Sequence, residues 1–218
     1  AGYAPIGIGS DTGGSVRIPS AFNGITGLKV TFGRISLHGT GLLSWTLDSI
    51  GPMGRNVRDC ALILDALVGP DSRDPTTLEQ PLDIFAREPR SVKGMQLALP
   101  AADQLPAFMD PGVVAAWQAA ARVFESLGAT IVPVRLPDWY FNLSLNAGRI
   151  IASEAYALHR PYVNDAAALL GPAVRQRMQA AESFEPGAYA QELRTMRELR
   201  RAFVEWFEGY SEFGIAYV

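Results

Sequence analysis

The sequence predicts an α/β protein, and two features lead to that class. Residues 90–136 read as a strand, an amphipathic helix and a second strand, an order typical of a parallel pair with a right-handed crossover. From about residue 145 to residue 210 the pattern is helical and rich in Ala. The 218 residues, 48% hydrophobic and 19% charged, supply enough apolar material for the core of an ordinary globular protein.

Charge and cysteine content exclude several classes of function. A net charge of −3 and a pI near 5.4 give no electrostatic reason to bind nucleic acid or an anionic membrane. The single cysteine, Cys60, excludes a disulfide or a thiolate metal cluster within these residues and suits a cytoplasmic protein. No apolar run approaches the length of a membrane span. We therefore expect no membrane association and no direct contact with nucleic acid, and no cluster of ligand residues argues for a metal.

The first half of the chain contains two predicted elements. The apolar run YAPIGIG predicts a buried strand that leads into a glycine turn. After Pro19, turn glycines alternate with β-branched residues and predict brief extended segments and tight loops. Asn56 is a good N-cap, and apolar residues at helical spacing then predict a helix that Gly69 ends. Cys60 lies on the apolar stripe of this helix, so we interpret it as a core residue.

The second half begins with the strand MQLALP, residues 95–100. Asp110 and Pro111 then supply an N-cap and an N1 proline for a helix that Gly128 closes. The run ATIVPV follows as the second strand. Breaks in the helical portion are predicted at three places: Pro161, Gly171–Pro172 and Pro186.

The segment SDTGGSVRIPS, residues 10–20, is the candidate functional motif. A dinucleotide-binding loop requires G-x-G-x-x-G, but Thr12 stands where the third glycine belongs. A Walker A loop requires a lysine after the glycines, and none follows here. An aspartic protease pairs two D-T-G aspartates in an all-β protein, whereas this chain has one such motif in an α/β setting. A nucleophilic serine and a structural turn remain.

The residue types alone leave both of these interpretations open for Ser15. Consecutive small residues before a serine allow several backbone N–H groups to converge, as in an oxyanion hole. A nucleophilic serine also needs a base. His38 lies in a glycine-flanked loop, and His159 lies on a predicted helix as a structural histidine. Neither forms a recognisable Ser–His pair, and a G-x-S-x-G elbow is absent.

Two long blocks resemble the amidase signature family. They are GIGSDTGGSVRIPSAFNGITGLKVTFGRIS at 7–36 and TLDSIGPMGRNVRDCALILDALVGPDSRDPTT at 46–77, with a weaker likeness at SEAYALHR. The resemblance implies an amidase signature fold: a mixed, mostly parallel sheet flanked by helices, with a helical C-terminal portion. We expect residues 1–218 to form a single, incomplete domain of this fold. Its parts are a signature core at 1–77, the strand–helix–strand unit at 90–136 and the helical portion at 145–210.

The resemblance also implies roles for individual residues. Members of the family hydrolyse amides with a Ser–cis-Ser–Lys triad and no histidine. Ser15 corresponds to the nucleophile. The implied oxyanion hole consists of the backbone N–H groups of Thr12, Gly13, Gly14 and Ser15. The implied supporting residues are Ser10, Asp11 and Arg17, of which the last two would form an ion pair; in some members an arginine here also meets the substrate.

The chain departs from the family pattern at both ends. The cis-serine and the lysine of the family lie well before the nucleophile, but only fourteen residues precede Ser15. Lys29 matches a different segment of the family, with Val30 in place of a proline. The C-terminal residues stop where members usually continue into a strand. We interpret the chain as an internal fragment, and we expect it to lack amidase activity by itself.

The expected function of the parent protein is hydrolysis of a small-molecule amide substrate without a cofactor, with a homodimer as a possible assembly. One alternative is the A subunit of a glutamine-dependent Glu-tRNA(Gln)/Asp-tRNA(Asn) amidotransferase, although GTGLLSWTLDSIGPM favours a stand-alone amidase. An alternative of another class is a non-catalytic scaffold. Four aromatic residues fit either an apolar acyl pocket or core packing: Trp45, Trp139, Tyr140 and Phe141.

Overall fold

The computed structural model describes residues 2–79, 91–211 and 215–217. The chain forms two compact units. The first comprises Ala1–Glu88 and Leu145–Leu193, and the second comprises Pro89–Ser144 and Arg194–Val218. Helices and strands occur throughout the described residues, which confirms the predicted α/β class.

The first unit contains a three-stranded antiparallel sheet in the order β1-β3-β2. Its strands are β1 at Ile6–Asp11, β2 at Thr26–Gly27 and β3 at Ser49–Gly54. The sequence predicts β1 but not β3, because Gly and Pro are depleted in strand interiors. Gly51 in β3 permits a close backbone approach, since a Cβ at this position would lie 2.2 Å from the Leu28 carbonyl oxygen.

Two short helices accompany this sheet, α1 at Arg17–Phe22 and α2 at Val57–Leu67. The prediction of loops after Pro19 was wrong for α1. Pro19 lies in the first turn of the helix, where a missing N–H removes no intrahelical hydrogen bond. The prediction for α2 is confirmed: Asn56 Oδ1 accepts a hydrogen bond from the Asp59 N–H at 2.9 Å, and Cys60 is 1% exposed.

The second unit contains the predicted strand–helix–strand sequence. Its elements are β4 at Gln96–Pro100, α3 at Pro111–Ser126, β5 at Thr130–Val134 and β6 at Ile215–Tyr217. The central strand β4 pairs in parallel with β5 and with β6, so the predicted parallel pair is confirmed. Asp110 caps α3 by accepting a hydrogen bond from the Gly112 N–H at 2.7 Å. Trp117 and Phe124 of α3 pack against the buried Leu97 and Leu99.

The helical portion contains α4 at Leu143–Asn164, α5 at Pro172–Gln179 and α6 at Ala188–Ser211. The break expected at Pro161 was wrong, because this residue lies inside α4 with only the last turn after it. The other two breaks are confirmed by the starts of α5 and α6. None of the described helices has both the length and the apolar composition that crossing a bilayer requires. Within the described ranges, short 3₁₀ helices occupy Ala102–Gln104, Asp138–Asn142 and Ala180–Ser183.

Candidate active site

The buried Asp11 carboxylate organises the turn between β1 and α1. Its Oδ1 accepts a hydrogen bond from the Gly14 N–H at 2.8 Å. Its Oδ2 accepts hydrogen bonds from the N–H groups of Val16 at 3.1 Å and Arg17 at 3.4 Å. The Arg17 guanidinium completes the arrangement by donating from Nε at 3.1 Å and from Nη2 at 3.0 Å. The ion pair between Asp11 and Arg17 that the sequence suggested is therefore present.

These contacts determine the charge state of Asp11. Burial by itself raises the pKa of a carboxyl group, since it disfavours the anion. The hydrogen bonds from the Arg17 side chain and from the Val16 and Gly14 amides outweigh this effect and lower the pKa of Asp11 to about 2. The same pairing raises the pKa of Arg17. Asp11 is therefore a fixed anion at neutral pH, which suits a structural brace and not a proton acceptor.

The turn presents Ser15 beside uncommitted backbone donors. The Ser15 side chain is exposed. Within residues 2–79 and the other described ranges, no acceptor bonds the N–H groups of Thr12, Gly13 or Ser15, whereas the Gly14 N–H is held by Asp11. Three amides in one turn are thus available to bind an anionic oxygen.

Gly14 has a backbone conformation that suits glycine. Its φ is +130°, and a Cβ at this position would lie 2.5 Å from the Ile18 Cδ1 atom. The φ opposes any larger residue, because L side chains rarely adopt such a value, and a Cβ would also force the Ile18 side chain to move. Gly14, the second of the two adjacent glycines in the motif, therefore has a structural reason.

Asp48 holds the turn from a second direction. The Thr12 hydroxyl donates a hydrogen bond to Asp48 Oδ1. Asp48 Oδ2 accepts hydrogen bonds from the N–H groups of Leu43 at 2.8 Å and Ser44 at 3.0 Å. Sequence reasoning assigned no role to Asp48. The available signal was its place in the block TLDSIGPMG, as an acid directly before the apolar run that forms β3.

The loop of residues 42–48 is anchored in turn by Glu154 of α4. Glu154 has no exposed surface, and its Oε2 accepts hydrogen bonds from the Ser44 hydroxyl and, at 3.0 Å, from the Thr46 N–H. Its Oε1 accepts hydrogen bonds from the Thr46 hydroxyl and, at 2.7 Å, from the Tyr189 hydroxyl. A second anchor is His159, whose Nε2 lies 2.7 Å from the Leu42 carbonyl oxygen. The expectation of a structural histidine agrees with this contact.

The other predicted residues are placed as follows. Ser10 lies on β1 opposite Ile50, with an exposed side chain. His38 is exposed in the loop after β2. Lys29 donates from Nζ to the Val30 carbonyl oxygen at 2.7 Å. Among the described residues, no three His, Cys, Asp or Glu side chains are grouped as metal ligands.

Two of the four aromatic candidates line a cleft in the second unit. Tyr140 and Phe141 border a cavity of ≈ 570 Å³, together with Pro106 and Phe108. Trp45, in the first unit, packs edge-on against Tyr189 with ring centroids 6.4 Å apart. Three of the four candidates are thus divided between a cleft and a packing contact, and Trp139 lies half-buried in the 3₁₀ helix Asp138–Asn142.

The chain matches known proteins along most of its length. The Amidase family profile matches residues 1–211. The A subunit of glutamyl-tRNA(Gln) amidotransferase from Lacticaseibacillus casei (strain BL23) is 36% identical over an alignment of 236 residues, gaps included. The alignment covers 96% of this chain and 48% of that protein. The crystal structure of the corresponding A subunit from Thermotoga maritima has a TM-score of 0.72 and 28% identity, covering 91% of this chain and 42% of that one. Native peptide amidase from Stenotrophomonas maltophilia has a TM-score of 0.70 and 27% identity, covering 90% and 45%.

The chain belongs to the amidase family. This confirms the resemblance found in the blocks at 7–36 and 46–77, and it confirms the amidase signature fold. The chain spans about half the length of the curated relatives it matches. The division into the parts 1–77, 90–136 and 145–210 stays a prediction.

Proposed function

We propose that the protein carrying this chain hydrolyses a carbon–nitrogen amide bond through an acyl intermediate on Ser15. The supporting observation is an exposed serine hydroxyl in a turn that also offers three uncommitted N–H groups. Membership of the amidase family supports the same reaction class. The proposed substrate is a small-molecule amide, and no step of the reaction requires a cofactor.

In the proposed reaction the Ser15 Oγ attacks the substrate carbonyl carbon and gives its proton to a base. The N–H groups of Thr12, Gly13 and Ser15 bind the oxyanion of the tetrahedral intermediate. The fourth donor expected from the sequence, Gly14, is committed to Asp11 and braces the turn. The C–N bond then breaks, the amine or ammonia leaves with a proton, and water hydrolyses the acyl-serine ester.

The base is proposed to be a lysine that acts through a second serine, both outside these 218 residues. Two observations favour a base from elsewhere. His159 is committed to the Leu42 carbonyl oxygen, and Lys29 donates to the Val30 carbonyl oxygen. A lysine in an apolar setting has a lowered pKa, because burial disfavours the ammonium form, and it can then accept a proton.

The test is amide hydrolysis by the full-length protein, measured as ammonia or arylamine release from a panel of primary and aryl amides. Ser15→Ala is expected to abolish turnover. Ser126→Ala removes another exposed serine hydroxyl, one that bonds the Val123 carbonyl oxygen of α3, and is expected to keep full activity. Turnover that persists in Ser15→Ala would contradict the proposal, whereas no turnover by the wild-type protein on any amide of the panel would favour the scaffold interpretation.

A second candidate is the A subunit of a glutamine-dependent tRNA amidotransferase. Curated relatives with 36% and 44% identity are named as the A subunit of glutamyl-tRNA(Gln) amidotransferase. In this alternative, glutamine is the amide donor and the ammonia is used within a complex of partner subunits. Glutamine hydrolysis that requires a co-expressed partner protein would favour this candidate. Turnover of a simple aryl amide by the protein alone would favour a stand-alone amidase.

A further inference from the structure

We infer that Asp48 is a positioning residue for the oxyanion-binding turn, an inference that rests on the proposed amidase function. The described contacts of the Asp48 carboxylate are to Thr12, Leu43 and Ser44, none of which is the nucleophile. It acts through Thr12, whose hydroxyl donates to Asp48 Oδ1. The Thr12 N–H is one of the three uncommitted donors. Asp48 helps to hold this N–H in place through the Thr12 side chain, together with Ser49 Oγ, which donates to the Asp11 carbonyl oxygen of the same peptide at 3.1 Å.

The Asp11 and Asp48 carboxylates hold different parts of the turn. Asp11 accepts hydrogen bonds from the amides of Gly14, Val16 and Arg17, which are the later residues of the turn. Thr12 precedes those residues and is followed by a glycine, whose backbone is intrinsically free. Two described side-chain contacts hold the early half of the turn: the hydrogen bond from Thr12 to Asp48, and the one that Ser49 Oγ donates to the Asp11 carbonyl oxygen at 3.1 Å. Geometry matters strongly here, because a misplacement of about 1 Å can cost about 10²-fold in rate.

Asp48 is itself held rigidly. It is 3% exposed, and its Oδ2 is occupied by the Leu43 and Ser44 N–H groups. Its own N–H donates to the Ser44 carbonyl oxygen at 2.9 Å. A fully bonded, buried carboxylate in a fixed loop can hold a second loop in a defined position, which is what a pre-organised site requires.

Glu154 provides a matched control. It is also a buried carboxylate, and it anchors the same 42–48 loop through Ser44 and Thr46. None of its described hydrogen bonds reaches the Thr12–Ser15 turn. If Asp48 merely stabilised its own loop, a change at Glu154 would have the same consequence for the reaction as a change at Asp48.

The experiment compares steady-state kinetics of the full-length protein with those of Asp48→Asn, Thr12→Val, the double variant, Glu154→Gln and Ser15→Ala. In Asp48→Asn the amide oxygen faces the two loop N–H groups, so an NH₂ group faces Thr12. The Thr12 hydroxyl then loses its charged acceptor and can only accept a weaker, neutral hydrogen bond. We expect Asp48→Asn and Thr12→Val each to lower kcat by about 10-fold while KM changes by less than about 2-fold. The double variant should be no slower than Thr12→Val, since both changes act on the same hydrogen bond between Thr12 and Asp48.

Glu154→Gln is expected to lose stability and, because it loosens the loop that carries Asp48 without touching the Thr12 contact, to lower kcat by less than Asp48→Asn does. A kcat loss in Glu154→Gln equal to that in Asp48→Asn would overturn the inference, as would an unchanged kcat in Thr12→Val, which removes the contact, when Ser15→Ala is inactive. Full activity in Ser15→Ala would instead refute the proposed function, and the inference with it. If Asp48→Asn does not fold, Thr12→Val alone tests the inference by the same expected loss of kcat, because this variant leaves the Asp48 carboxylate and its loop contacts in place.

Discussion

Replacement of Asp11 by Asn tests how strongly the Asp11 carboxylate stabilises the turn at the candidate site. Asn keeps the size of the side chain but carries one acceptor oxygen in place of two. Both carboxylate oxygens receive donors: the Gly14 N–H and Arg17 Nη2 on Oδ1, and the Val16 and Arg17 N–H groups and Arg17 Nε on Oδ2. The NH₂ group of Asn must therefore face at least two N–H donors, which is repulsive in a buried site.

The magnitude follows from the pKa of Asp11. A shift from 3.8 to about 2 is nearly two pH units, which at 1.36 kcal/mol per unit is about 2.5 kcal/mol. The Asp11 side chain is fully buried, but that of Arg17 is 53% exposed, so solvent screens part of the ion pair. We therefore expect Asp11→Asn to lower the free energy of unfolding by about 2 kcal/mol at neutral pH.

The sign of the pH dependence is fixed by the lowered pKa. A carboxyl group with a depressed pKa in the folded state stabilises the protein above its unfolded-state pKa, and the stabilisation disappears as the pH falls through the folded-state value. Urea unfolding of the full-length wild type and Asp11→Asn should show the full difference at pH 7 and roughly half of it at pH 3. A difference that stays constant between these two pH values would refute the reasoning.

Three further predictions concern glycines and the cysteine. Gly14→Val should lower kcat at least about 100-fold, because its φ of +130° is strained for a β-branched residue; wild-type turnover would contradict this. Gly51→Ala should cost more than about 3 kcal/mol in urea unfolding, since its Cβ would lie 2.2 Å from the Leu28 carbonyl oxygen, whereas Gly41→Ala, with open space around it, should change little. Cys60, whose pKa is raised by burial, should react slowly with a thiol reagent until denaturant is added.

Much of the local structure could be predicted from the sequence, because local signals determine it. Asn56 and Asp110 each cap a helix by accepting a hydrogen bond from a backbone N–H only two or three residues later in the sequence. Asp11 and Arg17 are only six residues apart, so their ion pair was accessible to sequence reasoning. The strand β3 could not be predicted in this way, because its Gly and Pro residues are uncommon in strand interiors.

The long-range part of the candidate site could not be predicted in the same way. Thr12 and Asp48 are 36 residues apart, and Ser44 and Glu154 are 110 apart. No periodicity or motif relates such residues, because their contact depends on how the chain packs. Likewise, the commitment of the Gly14 N–H to Asp11 depends on the rotation of one peptide in the turn, which a motif does not specify.

The most direct test of the central claim is to trap the acyl intermediate. Full-length protein is mixed with an activated aryl ester or anilide, quenched in acid within the first turnover, and digested with trypsin. We predict a mass increase equal to the acyl group on the peptide that ends at Arg17, located at Ser15 by fragmentation and absent in Ser15→Ala. An acyl adduct on any other residue, or one that is unchanged in Ser15→Ala, would contradict the account.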